Sequence, residues 1–358
     1  MSELLDRLSI SDGLIVEIPG EEGVDGRIAA GFVDLQVNGG WGHDFTADPG
    51  SIWDVGRRLP ESGVTTFLPT IISAPYHVAD AVIEVLRAGP PAGYAGADPI
   101  GLHIEGPWIS PEWKGAHNSA HLRLPDPEVA RRWADSGVVR MVTIAPELDD
   151  AHETAETLAA AGVVVSAGHS GADFESADRA LRGSWGAVTH LYNQMTPFHH
   201  RAPGLVGAAL LSDRPCGVIA DGIHSDPAAV RLAWDRLGPS RFFLITDAMQ
   251  ATGLRPGRYL LGDQAVDVGP EGPRIWPDTL AGSTLTMDRA VANLVKWTPA
   301  TLDQALACAS LIPATIIGAD DRGRLDPGLR GDVVRLDGQL RVVETMIGGE
   351  VTYRANGN

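Results

Sequence analysis

Short, almost continuously apolar segments alternate with amphipathic ones along most of the chain. Segments such as GVVVSAG and RFFLITDAM are rich in apolar residues and lack the polar alternation of a strand with one exposed face. This pattern is typical of strands buried on both faces of a parallel sheet. Eight such strands are predicted: Ile28–Asn38, Val64–Ile72, Ile100–Pro107, Val138–Glu147, Val163–Ser170, Ala187–Asn193, Cys216–His224 and Arg241–Met249.

The segments between these strands carry the apolar spacing of helices. Several begin after an Asp or Ser that can cap a helix, as in SDPAAVRLAWDRLG, which ends at a glycine. Eight strands alternating with helices favour an α/β fold of the (β/α)8 TIM-barrel type over an open sheet. The predicted helices are Ile52–Leu59, Val78–Ala88, Pro127–Asp135, Ala151–Ala161, Phe174–Leu181, Pro227–Leu237, Leu285–Trp297 and Leu302–Ala309.

Four stretches depart from this alternation. Residues 1–27 hold two strand-like pieces, LSI and GLIVEI, and residues 322–358 alternate strands with glycine turns. We expect both ends to form one small β-sandwich-like domain beside a (β/α)8 barrel over residues 28–321. Residues 257–277 indicate a hairpin after the eighth strand. Residues 194–215 are rich in Pro and His and lack a helical period, which predicts a functional loop.

Polar residues stand at the carboxyl ends of six predicted strands. Barrel enzymes carry their chemistry at that rim, so these side chains are expected to meet in one mouth. Each one alone is better explained as a hydrogen-bonded polar residue, but their joint placement favours a site. They are Gln36 and Asn38 in the first strand, Glu105 in the third, His169 in the fifth, His190 in the sixth, His224 in the seventh and Asp247 in the eighth.

The residue types at this rim indicate metal-assisted chemistry. Glu105, His169 and His190 form the ligand set of a catalytic zinc with an open position. Asp247 stands where a general base could reach water at such a metal, although a helix cap or a solvated loop would also explain it. Arg201, in HHRAPG, is either a solvated residue or an anion site, because a guanidinium can bind phosphate through two N–H groups.

Composition limits the partners and the compartment. The 28 Lys and Arg residues against 46 Asp and Glu residues give a net charge of −18, which argues against nucleic-acid or membrane partners because both need basic patches. The two cysteines, Cys216 and Cys308, are too few for a disulfide framework. Without an apolar run of membrane length or a basic signal segment, the sequence predicts a cytoplasmic protein.

An ordered series of motifs resembles one known family, the N-acetylglucosamine-6-phosphate deacetylases of the amidohydrolase superfamily. The combinations HIEGPW with KGAH, and THLYNQM with RAPG, are specific to that family, whereas isolated barrel-end His and Asp residues would indicate only the superfamily. The motifs, in order, are AAGFVDLQVNGG, GLHIEGPWISPEWKGAHN, SAGHS, THLYNQM, RAPG, ADGIH, LITDAM and LAGSTLTM.

The resemblance implies hydrolysis of N-acetylglucosamine 6-phosphate to glucosamine 6-phosphate and acetate. It implies one divalent metal ion, zinc above all, on the Glu105, His169 and His190 side chains, with Asp247 as acid and base. His117 would face the acetamide carbonyl as a second catalytic residue. It also implies a homodimer in which the partner chain contributes to the phosphate site. The substrate contacts that it implies are Ala116, His117, Asn193, Gln194, Arg201, His224, Leu280, Ala281 and Gly282.

The sequence departs from related chains in two places. Many amidohydrolases carry His-x-His at the end of the first strand, where it holds a second metal ion. Here Gln36 and Asn38 stand at this vestigial position, so one metal ion is expected. The segment before the barrel has about 30 residues, short for this family, so the small domain is expected to lack strands.

Two other functions are compatible with parts of this pattern. Another amidohydrolase, such as a cyclic-amide hydrolase or a nucleobase deaminase, would share the rim residues but would have no use for the Arg-x-Pro-Gly loop. A non-catalytic sugar-phosphate-binding protein would keep the barrel and lose a metal ligand. The sequence retains all three ligand candidates and the acid/base.

Overall fold

The computed structural model describes residues 9–18 and 26–355, and it confirms the predicted barrel. Eight parallel strands follow one another in chain order around a nearly closed barrel, with helices outside it. No helix within the described ranges is long and apolar enough to cross a membrane. The barrel strands are Phe32–Val37, Val64–Ile71, Leu102–Glu105, Val139–Ile144, Val164–Ala167, Trp185–Val188, Cys216–Val218 and Phe242–Leu244.

The eight predicted helices lie close to their predicted positions, since most carry an apolar face that packs on the strands. An Asp cap accepts backbone N–H groups at the start of several, including Pro127–Asp135 and Phe174–Arg182. The helices are Ile52–Arg58, Tyr76–Ala88, Pro127–Asp135, Ala151–Ala160, Phe174–Arg182, Gly204–Leu211, Pro227–Arg241 (interrupted at Gly238), Met287–Trp297, Leu302–Ala309 and Leu311–Ile316.

The first and eighth strands close the barrel through backbone and side chain together. Val37 and Ala248 form a parallel bridge, and the Asn38 N–H donates to the Ala248 carbonyl at 2.8 Å. The buried Asp34 carboxyl spans the same seam, where it accepts the Thr246 N–H at 3.2 Å and lies 2.5 Å from the Thr246 hydroxyl. This seam brings the end of the first strand against the residues that follow the eighth.

An antiparallel sheet built from both parts of the chain outside the barrel confirms the predicted small β domain. A separate hairpin, with strands Ser9–Ser11 and Leu14–Glu17, contributes Ile10 to a small core with the sheet. The strands of the sheet, in order, are Arg27–Ala30, Val333–Leu336, Val342–Ile347 and Glu350–Arg354.

The prediction of one continuous strand over Ile28–Asn38 is wrong. Arg27–Ala30 pairs with the C-terminal sheet, and Gly31 separates it from the barrel strand Phe32–Val37. Both pieces are almost entirely buried and mostly apolar, so the sequence pattern contains no clear break between them. A Cβ at Gly31 would lie 2.2 Å from the Thr65 hydroxyl, which explains the glycine at this junction. The domain limits at residues 27/28 and 321/322 stay a prediction.

The predicted loop over residues 194–215 contains a helix, Gly204–Leu211. Its sequence, GLVGAALL, is apolar on all sides and buried from Gly204 to Leu210. A helix without a polar face has no amphipathic period, so the sequence pattern did not reveal it.

The predicted hairpin after the eighth strand is a four-stranded antiparallel sheet, which we call the mouth sheet. Leu261 and Val266 of this sheet share a core with Ile72 and Ala116 of the barrel loops. The Gly262 N–H also donates to the buried Asp44 carboxylate at 2.9 Å, which fixes the sheet to the barrel. Its strands are Gly257–Leu261, Gln264–Gly269, Gly272–Ile275 and Thr279–Leu280.

We predict that Asp34→Asn changes the pH dependence of stability. Burial raises the pKa of Asp34 to about 7, against 3.8 for an ordinary Asp. Because the folded-state pKa is the higher one, the contribution of this group is fully present below about pH 4 and is lost as the pH rises towards 7. The neutral amide avoids this loss, which is at most about 4 kcal/mol. The free energy of unfolding, measured from pH 4 to pH 8, should therefore fall less in the variant.

The exposed Asp320→Asn serves as the matched control, because it removes one carboxylate outside the barrel interior. A free energy of unfolding that falls as much in Asp34→Asn as in the wild type would contradict this account of the seam.

Candidate metal-dependent active site

Three predicted ligand atoms converge at the carboxyl end of the barrel. Glu105 Oε1 lies 3.2 Å from His169 Nε2 and 2.9 Å from His190 Nε2, and the two imidazole nitrogens are 3.1 Å apart. All three side chains are buried. Burial acts to raise the pKa of Glu105, but the hydrogen bonds with His169 and His190 hold it well below its usual range. Glu105 is therefore the anion that this cluster contains.

The cluster fits a divalent metal ion. Zinc–ligand distances near 2.0–2.1 Å place neighbouring tetrahedral ligand atoms about 3.3 Å apart, close to the three separations found here. The His169 Nδ1–H donates to the Trp113 carbonyl at 2.9 Å, which leaves the Nε2 lone pair free for a metal. In the described part of the chain, Glu105, His169 and His190 are the group of His, Cys and acidic residues with this geometry.

The local backbone aims these side chains inward just beyond the strands. The fifth strand ends at Ala167 and the sixth at Val188, so His169 and His190 lie in the turns that follow rather than in the strands. Both residues have positive φ, at 49° and 26°, as does Asp247 at 51°. Non-glycine residues rarely adopt this conformation, and its occurrence at three rim residues is typical of a functional site.

Glu147 braces the turn that carries His169, and sequence reasoning missed it. Its carboxylate accepts the Ser170 hydroxyl at 2.7 Å and the Gly171 N–H at 2.5 Å. The Ser170 N–H donates to the Gln194 carbonyl, so the turns after the fifth and sixth strands are joined. The signal that could have found Glu147 is its place after the fourth strand, next to the other rim residues.

Asp247 lies beside the cluster and is held by the two amides of the first strand. The Asn38 side-chain amide donates to Asp247 Oδ1 at 2.7 Å, and that of Gln36 donates to the same oxygen at 3.1 Å. Gln36 also donates to Glu105 at 3.0 Å. Burial, with the charge of Glu105, raises the pKa of Asp247 to about 6. A carboxyl with that pKa can accept and return a proton near neutral pH.

His117 presents a hydrogen-bond donor to the same centre. The Ser73 N–H donates to its Nδ1 at 3.1 Å, so the proton of the neutral ring lies on Nε2, which is 3.8 Å from Glu105 Oε2. Burial, with the neighbouring His169, holds the pKa of His117 well below its usual range. His117 is therefore a neutral donor. Its partner Ser73 carried no signal in the sequence.

One cavity of about 270 Å³ joins these residues, and its size suits a small polar molecule. The mouth sheet forms one wall through Arg274, Asp278, Thr279 and Leu280, three of which the sequence analysis did not single out. Of the predicted site residues, those that line the cavity are Asn38, Glu105, Ala116, His117, His169, His190, Asn193, Gln194, His224, Asp247, Leu280 and Gly282.

Three predicted site residues do not line the cavity. Gln36 contacts two cavity residues, since its amide donates to Glu105 and Asp247. Ala281 is buried in the core of the mouth sheet. Arg201 is exposed on the loop before the helix Gly204–Leu211, where it contacts His200. By contrast, His224 lines the cavity, with its Nδ1 2.7 Å from the Asp221 carboxylate.

Known proteins are similar to this chain over most of its length. The model of the amidohydrolase family matches residues 27–352. Human N-acetylglucosamine-6-phosphate deacetylase is 43% identical over 352 residues, which cover 92% of this chain and 85% of the human protein.

Solved structures give the same result. The N-acetylglucosamine-6-phosphate deacetylase of Thermotoga maritima aligns with a TM-score of 0.89 and 34% identity, over 97% of this chain and 95% of that chain. A mutant of the Mycobacterium smegmatis enzyme, in complex with N-acetyl-D-glucosamine-6-phosphate, aligns with a TM-score of 0.88 and 33% identity, over 96% and 94% of the two chains. The chain therefore belongs to the amidohydrolase family and, within it, to the N-acetylglucosamine-6-phosphate deacetylases.

Proposed function

We propose that this chain hydrolyses the N-acetyl group of N-acetylglucosamine 6-phosphate, with acetate and glucosamine 6-phosphate as products. The observation that supports this most is the joint placement of the Glu105–His169–His190 cluster, Asp247 and His117 in one cavity. An assay of acetate release from this substrate by the metal-loaded protein tests the proposal. Protein that binds metal but releases no acetate would overturn it.

The residues of the cavity have separate roles in amide hydrolysis. A divalent ion held by the cluster would act as a Lewis acid and would lower the pKa of a bound water molecule. Asp247 accepts the proton of the attacking water and then returns it to the leaving amine nitrogen. His117 donates its Nε2–H to the acetamide oxygen as negative charge develops there. The amides of Gln36 and Asn38 keep Asp247 in place for both transfers.

The remaining contacts orient the sugar. Asn193, Gln194, Ala116 and the backbone near Gly282 line the cavity around the reacting centre, and His224 lies in the same wall. Fixing the sugar lowers the barrier because the acetamide is then held next to the catalytic groups. Arg201 is exposed in its own chain, so in this proposal it binds the phosphate of a partner's substrate in a homodimer.

Three finer points belong to the same proposal. The ion is zinc, since one carboxylate and two imidazoles with an open position are typical of catalytic zinc. Each chain binds one ion, because the amides of Gln36 and Asn38 replace the second ligand pair. The protein works in the cytoplasm, in line with its two free, buried cysteines, Cys216 and Cys308.

Metal content provides the first test of this site. Wild-type protein should hold about one ion per chain, and His169→Ala or His190→Ala should lose the ion and activity together, because a three-ligand site has none to spare. Elemental analysis after dialysis measures the ion. His77→Ala, an exposed histidine on the helix Tyr76–Ala88, is the control and should keep it. Two tightly bound ions per wild-type chain would contradict the single-metal interpretation.

Arg201→Ala should weaken the 6-phosphate substrate selectively. A charge-assisted hydrogen bond contributes ~1.5–3 kcal/mol, so KM should rise about 10- to 150-fold for the phosphorylated sugar and little for N-acetylglucosamine. Steady-state kinetics on both sugars measures this, with the exposed Arg182→Ala as control. An equal loss on both sugars would remove Arg201 from the phosphate site.

Mixed dimers test whether Arg201 acts across the interface. A site that takes Asp247 from one chain and Arg201 from the other is complete when Arg201→Ala and Asp247→Asn chains are paired. With the 6-phosphate substrate well below the KM of Arg201→Ala, about a quarter of wild-type activity should return after subunit exchange. An Arg201 that acted within its own chain would give no recovery.

Asp247→Asn should abolish turnover while the fold, the metal and substrate binding persist. The amide is nearly isosteric but cannot transfer a proton, and general acid–base groups contribute ~100- to 10,000-fold. The drop should appear in kcat with KM little changed. A residue that only caps a helix would instead lose ~0.5–2 kcal/mol of stability and retain activity. Retention of more than about a tenth of wild-type kcat would exclude the catalytic role.

A further inference from the structure

Arg274 of the mouth sheet is a cationic side chain in the cavity wall that the mechanism above does not use. It lines the same cavity as Glu105, Asp247 and His117. Among the described residues that line this cavity, Arg274 alone carries a guanidinium, and none is a lysine. Arg274 carried no signal in the sequence, because it lies in a segment predicted only as a hairpin.

The hydrogen bonds of Arg274 are incomplete. One guanidinium nitrogen pairs with the Asp278 carboxylate, and the same nitrogen donates to the Asp278 carbonyl at 3.3 Å. The Nε atom is buried and has no partner among the described residues. The Arg274 side chain is 30% exposed, whereas that of Asp278 is 81% exposed. An exposed pair of this kind is weak, so an anion in the cavity can compete for the guanidinium.

The pairing of the mouth sheet places Arg274 at a definite depth. A Cβ at Gly282 would lie 3.2 Å from the Asp247 carbonyl, so Gly282 marks the reacting end of the cavity. Leu280, two residues earlier, pairs directly with Arg274. The backbone path from Gly282 to Arg274 is therefore about 12 Å, part of which the Arg side chain can span. The remainder suits a hexose whose phosphate is distant from its acetamide.

The same strand also passes next to His224. A Cβ at Gly272 would lie 3.2 Å from the side chain of Ile223, the neighbour of His224. Arg274 and Gly272 are two residues apart on one strand, so their side-chain directions are on one face of the sheet. His224 and Arg274 thus approach one region of the cavity from different elements.

We propose that Arg274 binds the anionic group of the substrate from within the same chain and that Asp278 competes with that group for it. This inference rests on the proposed function, since it takes the anion to be the 6-phosphate. In the absence of substrate, Asp278 holds one side of the guanidinium. A bound phosphate takes over that side of the guanidinium. Arg274 is then a determinant of specificity for phosphorylated over neutral sugars.

Binding of the product separates this proposal from its structural alternative. Calorimetry with glucosamine 6-phosphate and with glucosamine should show that Arg274→Ala weakens the phosphorylated ligand about 10- to 100-fold and leaves the neutral one little changed. Arg258→Ala removes a 75% exposed arginine from the same sheet and should stay within about twofold of wild type. The proposal is overturned if Arg274→Ala weakens the binding of both ligands equally or of neither.

Asp278→Asn should change the affinity for the phosphorylated ligand in the opposite direction. Removing the competing carboxylate should tighten binding of glucosamine 6-phosphate, by about two- to fivefold for such an exposed pair. If Arg274 served only to hold the turn at residues 276–278, Asp278→Asn and Arg274→Ala would both lower Tm and weaken both ligands. Weaker binding of the phosphorylated ligand by Asp278→Asn overturns the proposal.

The binding assay also keeps this inference separate from the proposed activity. Wild-type protein that releases no acetate, yet binds glucosamine 6-phosphate through Arg274, would refute the activity and support the phosphate contact. Wild-type protein that releases acetate but does not distinguish glucosamine 6-phosphate from glucosamine would support the activity and refute the contact.

Discussion

Closure of the barrel between its first and eighth strands is the constraint on which the site depends. The Asn38 N–H bonds to the Ala248 carbonyl, and the Asp34 carboxyl joins Thr246 just before Asp247. Because this seam fixes the backbone on both sides of Asp247, the Asn38 side chain meets its carboxylate at 2.7 Å. In the proposed mechanism Asp247 must lie within hydrogen-bond reach of the proton that it accepts, and the seam fixes its position.

A polar layer inside the barrel supports the metal cluster from below. The buried ring of His103 donates through Nδ1 to the Leu35 carbonyl and accepts the Thr143 hydroxyl at 2.8 Å. Thr143 lies 2.8 Å from the hydroxyl of Thr189, the residue before His190, and Thr189 lies 2.6 Å from Ser166. Unpartnered polar groups at this depth would each cost about 1–3 kcal/mol, so their mutual pairing allows a polar layer inside an apolar barrel.

The sequence predicted what depends on local periodicity and on strand ends. Continuous apolar runs located the eight barrel strands, although they merged the first with Arg27–Ala30. The expectation that strand ends share one mouth predicted that Glu105, His169, His190 and Asp247 lie together, and all four line one cavity. Sequence reasoning missed features that depend on tertiary packing. The all-apolar helix Gly204–Leu211 had no period to detect, and Ser73 and Glu147 act through single hydrogen bonds to His117 and to the turn after His169. Such contacts join residues far apart in the sequence and follow no regular spacing that could predict them.

The charge balance gives the mouth sheet a particular importance. A protein with a net charge of −18 repels an anionic substrate at a distance, and Glu105, Asp247 and Asp278 place part of that acidity in the cavity. At physiological ionic strength the distant charges are screened beyond about 8 Å, whereas a guanidinium in contact with phosphate is not. Local cations therefore decide binding. In the proposed dimer, Arg201 reaches the phosphate only through a partner, whereas Arg274 reaches it from the chain that holds the metal cluster. A dissociated chain would then keep affinity for the phosphate through Arg274. Formation of the dimer would add the contact from Arg201.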